Sequence, residues 1–489
     1  MKLILAVSAG LGVWLGWRSL GWPLIHDAPI MHYVAWLVAQ GAVPYRDVFD
    51  MNMPGVYLIH WAVLSTVGAG DLAWRLIDLV WLAAICGLLV AYGIRTRDRE
   101  AAAAGAILFA LYHLSGGAWR VGQRDFMLCF FLLGGALGVA RSLERGGALR
   151  PLVVAGLALG AGMAVKPQAG IYWLACAAAL AWGAWDTGRS LVIAILAVLG
   201  AGLFVPAVVF GWLAWRGGLA PFVSVITGYV LPLYSHVGRV SVWEGFSWYQ
   251  FGWPLWGMLA ALGLLALLGP PPDGAAPRRA LALLGVGYGW LHFAVQGKGW
   301  EYHLYPLALF LCALVPFAMA RSISRSRLAT LRRGAAIGVF VVAVVTLCAK
   351  GVDALDAGWI ATKSERVASL SRDLGPLLRP GDTVQVLDVT EGGLHALLRL
   401  GVRQPTRFLY DFHFFHDQAD PRIKAFQAEL VSGLKAKHPA VIVVMRDTWN
   451  QPGYGRLGQV PGLTPLLDRD YALAVEGNGY RIYAKRLRS

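Results

Sequence analysis

The first 350 residues alternate between long apolar stretches and short polar ones, and this alternation restricts the possible folds more than any other feature. A helix of about 20 apolar residues is long enough to cross the hydrocarbon core of a bilayer, and about eleven stretches qualify. Their approximate cores are residues 3–20, 72–94, 101–114, 126–143, 150–165, 169–185, 191–214, 252–269, 280–296, 304–320 and 334–350. With 57% apolar and 15% charged residues, the chain has more apolar surface than a soluble domain can bury. Residues 1–350 are therefore predicted to form a polytopic α-helical membrane protein.

Basic residues collect in alternate loops between these stretches. The basic loops are residues 95–99, 141–150, 186–189, 278–279 and 321–333. Because short cytoplasmic loops carry the excess of Lys and Arg, this pattern places these loops and the N-terminus in the cytoplasm. The alternate loops, including residues 21–71 and 216–250, and everything after residue 350 then lie outside. We treat the first stretch as a retained span and not as a cleaved signal peptide.

The same loops account for most of the formal net charge of +15, so the basicity does not indicate a nucleic-acid partner. All five cysteines fall in apolar segments, which predicts neither a disulfide framework nor a metal–thiolate site. The high content of Ala, Gly and Arg is typical of a GC-rich bacterial source. We therefore expect a multi-pass protein of the bacterial inner (cytoplasmic) membrane, in contact with the lipid bilayer and with its outer loops facing the periplasm or the cell exterior.

The composition changes after Lys350, where strand and helix signals replace the apolar stretches. Strands are predicted at residues 383–388, 407–410, 440–445, 471–476 and 480–485, and helices at residues 393–400 and 422–437. An Asn-Gly pair between the last two strands is typical of a tight hairpin turn. Residues 351–489 are thus predicted to form a soluble, extracytoplasmic α/β domain. Its aromatic-rich loop holds His413 and His416, for which packing against the membrane domain is favoured over metal binding because no third ligand follows at a usual spacing.

The first outer loop, residues 21–71, concentrates carboxylates directly after a predicted span. Residues 28–40 have a Pro in the first turn and end before a Gly, which predicts a helix too short to cross a membrane; we place it flat at the outer interface. Asp27 falls at or near the N-cap of that helix, where an Asp also serves as a simple cap. Asp47 and Asp50 hold an acceptor, bind a divalent cation or only shape the loop, and the sequence leaves these three roles open.

Other outer loops carry cations and aromatic side chains. The cations are Arg120 and Arg124 in one loop, His236 and Arg239 in the next, and Lys298 and His303 in the last. Positive charge outside opposes the positive-inside bias, so these residues are candidates to bind an anion; snorkelling to lipid head groups is the alternative. Trp300 and Tyr302 in the last loop, and Tyr45 in the first, are candidate contacts for a sugar or a lipid, although interfacial aromatic belts also explain such residues.

Five loose motifs follow one another along the membrane region. Asp27 comes just after the first span, a Gly-x-x-Pro-Tyr-x-Asp segment ends at Asp47, and Pro-Gly-Val-Tyr begins at Pro54. A Gly-x-x-x-x-Ala-x-Arg-Leu segment at residues 68–76 enters the next span, and a late polar segment contains Lys298 and a Tyr-x-x-x-Pro sequence. In this order they resemble the GT-C superfamily of integral-membrane glycosyltransferases, especially the protein O-mannosyltransferase and lipid A aminoarabinose transferase branch. The similarity extends to about residue 320, and the order of the motifs is more specific than any one of them.

The resemblance implies a polyprenyl-phosphate-linked sugar as donor, an extracytoplasmic glycan, lipid or protein as acceptor, and Asp27 as general base. The chemistry makes the same demand, because an acceptor hydroxyl loses a proton as it attacks the anomeric carbon and the leaving phosphate needs cationic partners. The phosphate-binding candidates are Lys298, Arg239, His303, Arg120, Arg124 and His236. Relatives carry a Lys before a Pro-Pro pair where this chain has Asn-Met, so Lys298 and Arg239 are the first choices. Relatives in the protein mannosylation branch have Asp-Glu where this chain has Asp-Ala, which disfavours a protein acceptor.

The sequence does not specify a metal. A divalent cation such as Mg²⁺ or Mn²⁺ stays open, and no other cofactor is expected. Two other functions also fit: a transporter or flippase for a lipid-linked sugar, and a non-catalytic membrane subunit that binds glycan. A transporter more often has paired halves, and the chain has no internal repeat. Inverting-type sugar transfer is the favoured interpretation.

Overall fold

A computed structural model describes residues 1–183, 189–247, 252–321, 327–449 and 452–486. Most of the predicted basic loop 186–189 and part of the loop 321–333 lie outside these residues. The chain divides into two compact units, which we call the helical unit and the mixed unit. The helical unit comprises Met1–Trp22, Arg75–Val209 and Gly238–Asp356. The mixed unit comprises Pro23–Trp74, Phe210–Val237 and Ala357–Ser489.

The described residues form nineteen α-helices and four strands. The helices are α1 Lys2–Arg18, α2 Asp27–Ala39, α3 Pro54–Thr66, α4 Asp71–Gly93, α5 Arg99–Ser115, α6 Arg124–Glu144, α7 Leu149–Val165, α8 Ala169–Gly183, α9 Arg189–Trp215, α10 Leu219–Val225, α11 Val242–Ser247, α12 Gly252–Leu265, α13 Ala276–Gln296, α14 Tyr305–Met319, α15 Arg327–Leu355, α16 Gly358–Leu374, α17 Gly393–Leu400, α18 Pro421–Lys437 and α19 Leu463–Asp470. The strands are β1 Val384–Leu387, β2 Val441–Met445, β3 Tyr471–Gly477 and β4 Tyr480–Lys485. A π-helix, Ile226–Tyr234, continues α10.

Each of the predicted apolar cores overlaps one of these helices. Among the described residues, six helical segments are long and apolar enough to cross a membrane. They are Lys2–Gly21, Asp71–Thr96, Arg124–Glu144, Leu191–Trp215, Glu301–Met319 and Arg327–Leu377. Shorter apolar helices accompany them, which fits a multi-pass membrane protein. The count of about eleven spans stays a prediction.

Helix α14 lies at the centre of the helical unit. All fifteen of its residues are buried, as expected for a helix that is apolar on every side. It packs against α5, α6, α12, α13 and α15. Small residues permit this close packing: a Cβ added at Gly105 of α5 would lie 2.4 Å from the carbonyl oxygen of Cys312, and one at Gly289 of α13 would lie 2.5 Å from Cα of Leu307.

The mixed unit contains a four-stranded sheet in the order β1-β2-β4-β3. Strands β1 and β2 pair in parallel, with Val384 opposite Val441, and the other two pairings are antiparallel. All residues of β1 and β2 are buried, which is typical of parallel strands covered on both faces. The hairpin β3–β4 turns at Asn478-Gly479 as predicted, with Gly479 at φ +87°. The sheet and its helices therefore agree with the predicted C-terminal α/β fold.

The predicted strand at residues 407–410 is wrong. Phe408 instead forms an isolated bridge with Phe49 of the first loop, whose N–H donates to the carbonyl of Arg407 at 2.7 Å. The β-propensity of this segment is real, but its partner is a single residue far away in sequence and not a strand of the sheet. Loop 41–55 and the C-terminal residues consequently belong to the same compact unit.

The loop that holds His413 and His416 packs against the π-helix. The hydroxyl of Tyr229 lies 2.6 Å from His413 Nδ1 and 3.0 Å from His416 Nε2. Residues 216–250, which the sequence predicts as a loop, are thus largely helical where they are described. Both histidines have the hydroxyl of Tyr229 as a hydrogen-bond partner.

Candidate functional site

Asp27 is the first residue of α2 in the mixed unit. The helix begins one residue earlier than predicted, and the N-cap position belongs to His26. Asp27 therefore lies in the first turn, where the positive end of the helix dipole stabilises a carboxylate. Its side chain is half-buried. A side chain in this position still reaches solvent, as a general base that must meet an acceptor does.

His26, directly before Asp27, has a backbone conformation that side chains rarely adopt, with φ +54° and ψ −121°. Such a conformation costs about 1–3 kcal/mol and persists only where neighbours hold it. Here the imidazole ring lies 5.5 Å from the ring of Trp359, and its Nδ1 lies 3.5 Å from Lys363 Nζ. Burial, and then the charge of Lys363, lower the pKa of His26 to about 3. His26 is therefore neutral at physiological pH.

Lys363 connects the start of α2 to the sheet. Its ammonium group forms an ion pair with Glu391 at 3.0 Å and donates to the carbonyl of Thr390 at 3.1 Å. Both partners belong to the loop after β1, where Asp388 accepts the backbone N–H groups of Glu391 and Gly393 at 2.8 Å. The loop after β1 thus braces the segment that carries the candidate base.

Asp50 lies in the interior of the first loop. Its Oδ2 accepts the Tyr57 hydroxyl at 2.6 Å, and its Oδ1 accepts the Asn52 amide at 2.9 Å and the Met51 N–H at 2.6 Å. Only 1% of Asp50 is exposed. Of the three roles left open by the sequence, shaping the loop is the one these contacts describe. Tyr45, also fully buried, donates its hydroxyl to the carbonyl of Asn52.

Asp47 differs from Asp50 because it reaches the surface. Its side chain is 38% exposed, accepts the N–H of Val43 at 2.8 Å and pairs with Arg46 at 2.8 Å. The hydrogen bond from Arg46 is the main favourable contribution that lowers the pKa of Asp47 below its ordinary value. Asp47 is thus an accessible, ionised carboxylate. His236, the remaining candidate in the mixed unit, is exposed in the turn after the π-helix.

In the helical unit, Lys298 and Arg239 come together at a glycine-rich turn after α13. Gly297 and Gly299 flank Lys298 and both have positive φ, +61° and +66°. The N–H of Val240 donates to the carbonyl of Gly297 at 2.9 Å, and a Cβ added at Gly297 would lie 3.2 Å from the Arg239 side chain. Burial, and then the charge of Arg239, lower the pKa of Lys298 to about 8. Two cations at the same turn, each within the electrostatic influence of the other, form a site suited to an anion.

The aromatic candidates surround His303 in the next turn. The Tyr302 ring lies 4.7 Å and the Trp300 ring 5.5 Å from the His303 ring. Tyr302 and His303 are buried, whereas Trp300 is half-buried. The structure therefore brings three of the predicted residues into one cluster.

The two arginines between the third and fourth predicted spans have different surroundings. Arg120 is buried, forms an ion pair with Glu301 and lies 4.0 Å above the ring of Tyr112. These contacts indicate that Arg120 and Glu301 form a buried ion pair with a structural role. Arg124, the first residue of α6, is half-buried and is the more accessible of the two.

No protein-family model matches the chain, and no curated protein matches it. Solved structures do match. ArnT from Cupriavidus metallidurans in the apo state aligns with 98% of this chain and 97% of its own, at 13% identity and a TM-score of 0.66. The archaeal oligosaccharyltransferase AglB from Archaeoglobus fulgidus aligns with 99% of this chain and 74% of its own, at 13% identity and a TM-score of 0.52. The arabinofuranosyltransferase AftD from Mycobacteria aligns with 100% of this chain and 40% of its own, at 16% identity and a TM-score of 0.53. All three are GT-C superfamily membrane glycosyltransferases.

This chain has the GT-C fold. The resemblance drawn from the order of the sequence motifs is thereby confirmed at the level of the fold. The alignment with ArnT covers nearly the whole of both chains, so the GT-C likeness extends beyond residue 320 to the C-terminal residues.

Within its GT-C fold the chain has a buried polar network that sequence reasoning did not assemble. In the helical unit, Asp125 pairs with Lys166 at 2.8 Å and with His292 at 2.6 Å. Two features of the sequence point to it: Asp125 directly follows Arg124 at the start of a predicted span, and Lys166 interrupts an otherwise apolar hairpin, where a lysine is expensive to bury. Only the packing of three helices brings these residues together.

Among the residues that the structure describes, no three His, Cys, Asp or Glu side chains converge in a way that could hold a metal ion. Asp47 and Asp50 are each engaged within the loop, one with Arg46 and the other with Tyr57 and Asn52. Among the described residues, these carboxylates therefore do not fit a resident divalent cation.

Proposed function

We propose that this chain is a membrane glycosyltransferase that moves a sugar from a polyprenyl-phosphate-linked donor to a hydroxyl of an extracytoplasmic glycan, lipid or protein. The observation that carries the proposal is the match over nearly the whole of both chains with ArnT, of which one structure is bound to undecaprenyl phosphate, at a TM-score of 0.61. AglB in complex with dolichol-phosphate supports the same class of donor. The proposal includes a multi-pass protein of the bacterial inner membrane, with the N-terminus in the cytoplasm and residues 351–489 outside.

In the proposed reaction Asp27 is the general base. The acceptor hydroxyl transfers its proton to the Asp27 carboxylate while its oxygen bonds to the anomeric carbon of the sugar. The bond between that carbon and the phosphate oxygen breaks with inversion, and polyprenyl phosphate leaves with both electrons. The position of Asp27 in the first turn of α2 supports this role, because its half-buried side chain stays accessible to an acceptor.

The phosphate partners that we propose are the cations Lys298 and Arg239 first, with Arg124 and the ring N–H of the buried His303 next. Charge grows on the phosphate as the bond breaks, and fixed cations and N–H donors stabilise that charge more than they stabilise the ground state. The close approach of Lys298 and Arg239 supports the choice. Trp300 and Tyr302 are the proposed contacts for the sugar or the lipid.

The test is transfer by purified protein supplied with polyprenyl-phosphate sugars and an extract of envelope acceptors. Asp27→Asn keeps the shape of the side chain and removes the base, so we expect turnover to fall by about 10²-fold or more with donor binding retained. Asp353→Asn is the matched control, because Asp353 is 71% exposed and its pairing with Lys350 is long at 3.9 Å.

Each outcome separates the proposal from the alternatives. Full activity of Asp27→Asn would refute the base assignment. If wild-type protein releases polyprenyl phosphate from no donor, yet moves a lipid-linked sugar across vesicles, it is a transporter; if it only binds glycan, it is a silent subunit. A parallel reaction with EDTA tests for a divalent cation, and we expect no loss of activity there.

A further inference from the structure

Four side chains from three helical segments meet inside the helical unit, close to the proposed phosphate site. Asp125 lies in the first turn of α6, Lys166 follows the last residue of α7, and His292 and Gln296 lie in the last turns of α13. Asp125 and His292 are fully buried and Lys166 is 8% exposed. Charged groups at such a depth are costly unless they are paired, so their arrangement indicates a selected role.

The pairing is complete on the carboxylate. Lys166 Nζ lies 2.8 Å from one oxygen of Asp125, and His292 Nε2 lies 2.6 Å from the other. The hydroxyl of Tyr288 lies 3.2 Å from Nδ1 of His292. With that hydroxyl donating to Nδ1, the imidazole carries its hydrogen on Nε2 and donates it to Asp125. The amide nitrogen of Gln296 also lies 2.9 Å from Nε2 of His292. The network therefore fixes the ring orientation of His292.

Lys166 extends the network to the end of α13. It donates to the Gln296 side-chain oxygen at 2.6 Å. Gln296 is the last residue of α13, and the turn from Gly297 to Gly299 that presents Lys298 follows at once. A hydrogen bond to the last helical residue resists fraying of the helix end, which is otherwise its least stable part.

The turn needs such support because of the charges it holds. Lys298 and Arg239 repel each other, and positive φ at the two flanking glycines gives the chain conformational freedom that folding must restrict. Without an anchor, the repulsion would favour conformations in which the two cations separate. A site whose cations are already in place binds an anion more tightly than one that must first assemble.

We propose that Lys166 and Gln296 are positioning residues, which through the Asp125–His292 pair hold the Gly297–Gly299 turn so that Lys298 and Arg239 are preorganised for the donor phosphate. This inference rests on the proposed function for the identity of the anion. It assigns no contact with substrate to Lys166 or Gln296. Their effect is on the turn, two residues away from Lys298.

The variants must separate positioning from folding. Asp125→Asn and Lys166→Met leave a buried charge unpaired and are expected to reduce the amount of folded protein. Gln296→Leu is milder, since it keeps the approximate size of the side chain and introduces no charge; it removes the oxygen that accepts from Lys166 and the amide nitrogen that lies 2.9 Å from His292 Nε2. Gln296→Glu keeps an oxygen for Lys166 and serves as the conservative rescue.

The control is Tyr172→Phe, which removes a hydrogen bond of 3.0 Å to the carbonyl of Leu281 near the other end of α13. Binding of undecaprenyl phosphate to the full-length protein in detergent is measured for each variant, with the melting temperature recorded in parallel. Gln296→Leu should weaken binding about tenfold, whereas Gln296→Glu and Tyr172→Phe stay within about threefold of wild type. Lys298→Met should weaken binding at least as much as Gln296→Leu.

A pH series provides a readout that a purely structural role would not move. Wild-type binding should weaken as pH rises through about 8, where Lys298, facing Arg239, loses its proton. In Gln296→Leu the turn relaxes away from Arg239, so the pH at which binding weakens should rise toward the pKa of an ordinary lysine. If Gln296→Leu lowers the melting temperature but changes neither the affinity nor the pH at which binding weakens, the inference is overturned.

The inference and the proposed function fail in different ways. If wild type binds undecaprenyl phosphate but releases none from any donor sugar, the proposed function fails while the positioning role is still measured by affinity. If transfer occurs and Gln296→Leu has the affinity, the donor KM and the pH dependence of binding of wild type, the positioning role fails and the function stands.

Discussion

The imidazole rings of His32 and His60 meet through their Nδ1 atoms at 3.0 Å in the interior of the mixed unit. One nitrogen must donate the hydrogen and the other accept it, so the contact exists only while at least one ring is neutral at Nδ1. Trp74 packs on both rings, with centroid distances of 4.6 Å and 4.2 Å. The pair joins α2, which begins at the proposed base, to α3.

The histidine pair makes stability depend on pH. Burial, and then the charge of His395, lower the pKa of His32 to about 3, with Asp71 acting in the opposite direction. Between the ordinary pKa of about 6.5 and this value the unfolded chain binds more protons than the folded one, so the free energy of unfolding falls as pH decreases. We expect a loss of about 2 kcal/mol from His32 by pH 5.

Thermal unfolding of the full-length protein in detergent, measured from pH 7.5 to pH 5, tests this expectation. His32→Gln removes the titrating group, so its melting temperature should depend less on pH than that of wild type. His438→Gln, at the exposed C-terminal end of α18, is the control and should follow wild type. Equal slopes for all three proteins would contradict the assignment.

Tyr57→Phe should destabilise the first loop. The substitution removes the hydroxyl that donates to the buried Asp50 carboxylate at 2.6 Å and leaves that oxygen short of a donor. Hydrogen bonds to charged groups contribute about 1.5–3 kcal/mol, so we expect a loss of that size in the free energy of unfolding. Tyr454→Phe, at a half-exposed tyrosine, should change it by less than about 0.5 kcal/mol. Comparable melting temperatures for the two variants would show that Asp50 does not depend on Tyr57.

Arg456→Met should strongly destabilise the sheet region. Arg456 lies 2.8 Å from Asp411, and both side chains are essentially inaccessible to solvent. Removal of one partner of a buried pair leaves an uncompensated charge and costs about 3–5 kcal/mol. The deficit should shrink at lower pH, because burial already raises the pKa of Asp411 and protonation would relieve the unpaired charge.

Arg481→Met is the contrast to this variant. Its pair with Glu476 has a similar distance of 2.7 Å, but the two side chains are 32% and 54% exposed. Exposed pairs contribute below about 1 kcal/mol. Chemical denaturation of both variants compares the two environments directly. A large loss for Arg481→Met would contradict the view that burial, and not distance, decides the effect.

Gly105→Ala should loosen the centre of the helical unit. A Cβ at this position would lie 2.4 Å from the Cys312 carbonyl oxygen, which is backbone and must shift as a whole. Overpacking of this kind costs about 1–3 kcal/mol. Gly87→Ala in α4 meets no atom within 4 Å and should be neutral or stabilising, by up to about 1 kcal/mol, through helix propensity. Melting temperatures in one detergent order the two variants against wild type.

Much of the secondary structure was predictable because its signals are local. The helix at residues 393–400 has the predicted bounds, the short helix before Gly41 begins within one residue of its predicted start, and the Asn-Gly hairpin is where it was expected. Helix periodicity, capping and turn chemistry depend on residues within a few positions of one another. The strand predicted at 407–410 was wrong for the same reason, since its partner Phe49 lies some three hundred and sixty positions away.

The sequence by itself determined that the chain has the apolar helices of a membrane protein, that carboxylates and cations collect in the loops between them, and that the order of its motifs resembles that of the GT-C superfamily. Tertiary structure decided which of those residues are buried and bound to other side chains of the protein. Asp50 and Arg120 are held by Tyr57 and Glu301. It also decided that Asp125, Lys166 and His292 meet, and that Lys298 lies beside Arg239. The physical reason is that burial and pairing arise only when helices distant in sequence pack together, and no local pattern records that packing.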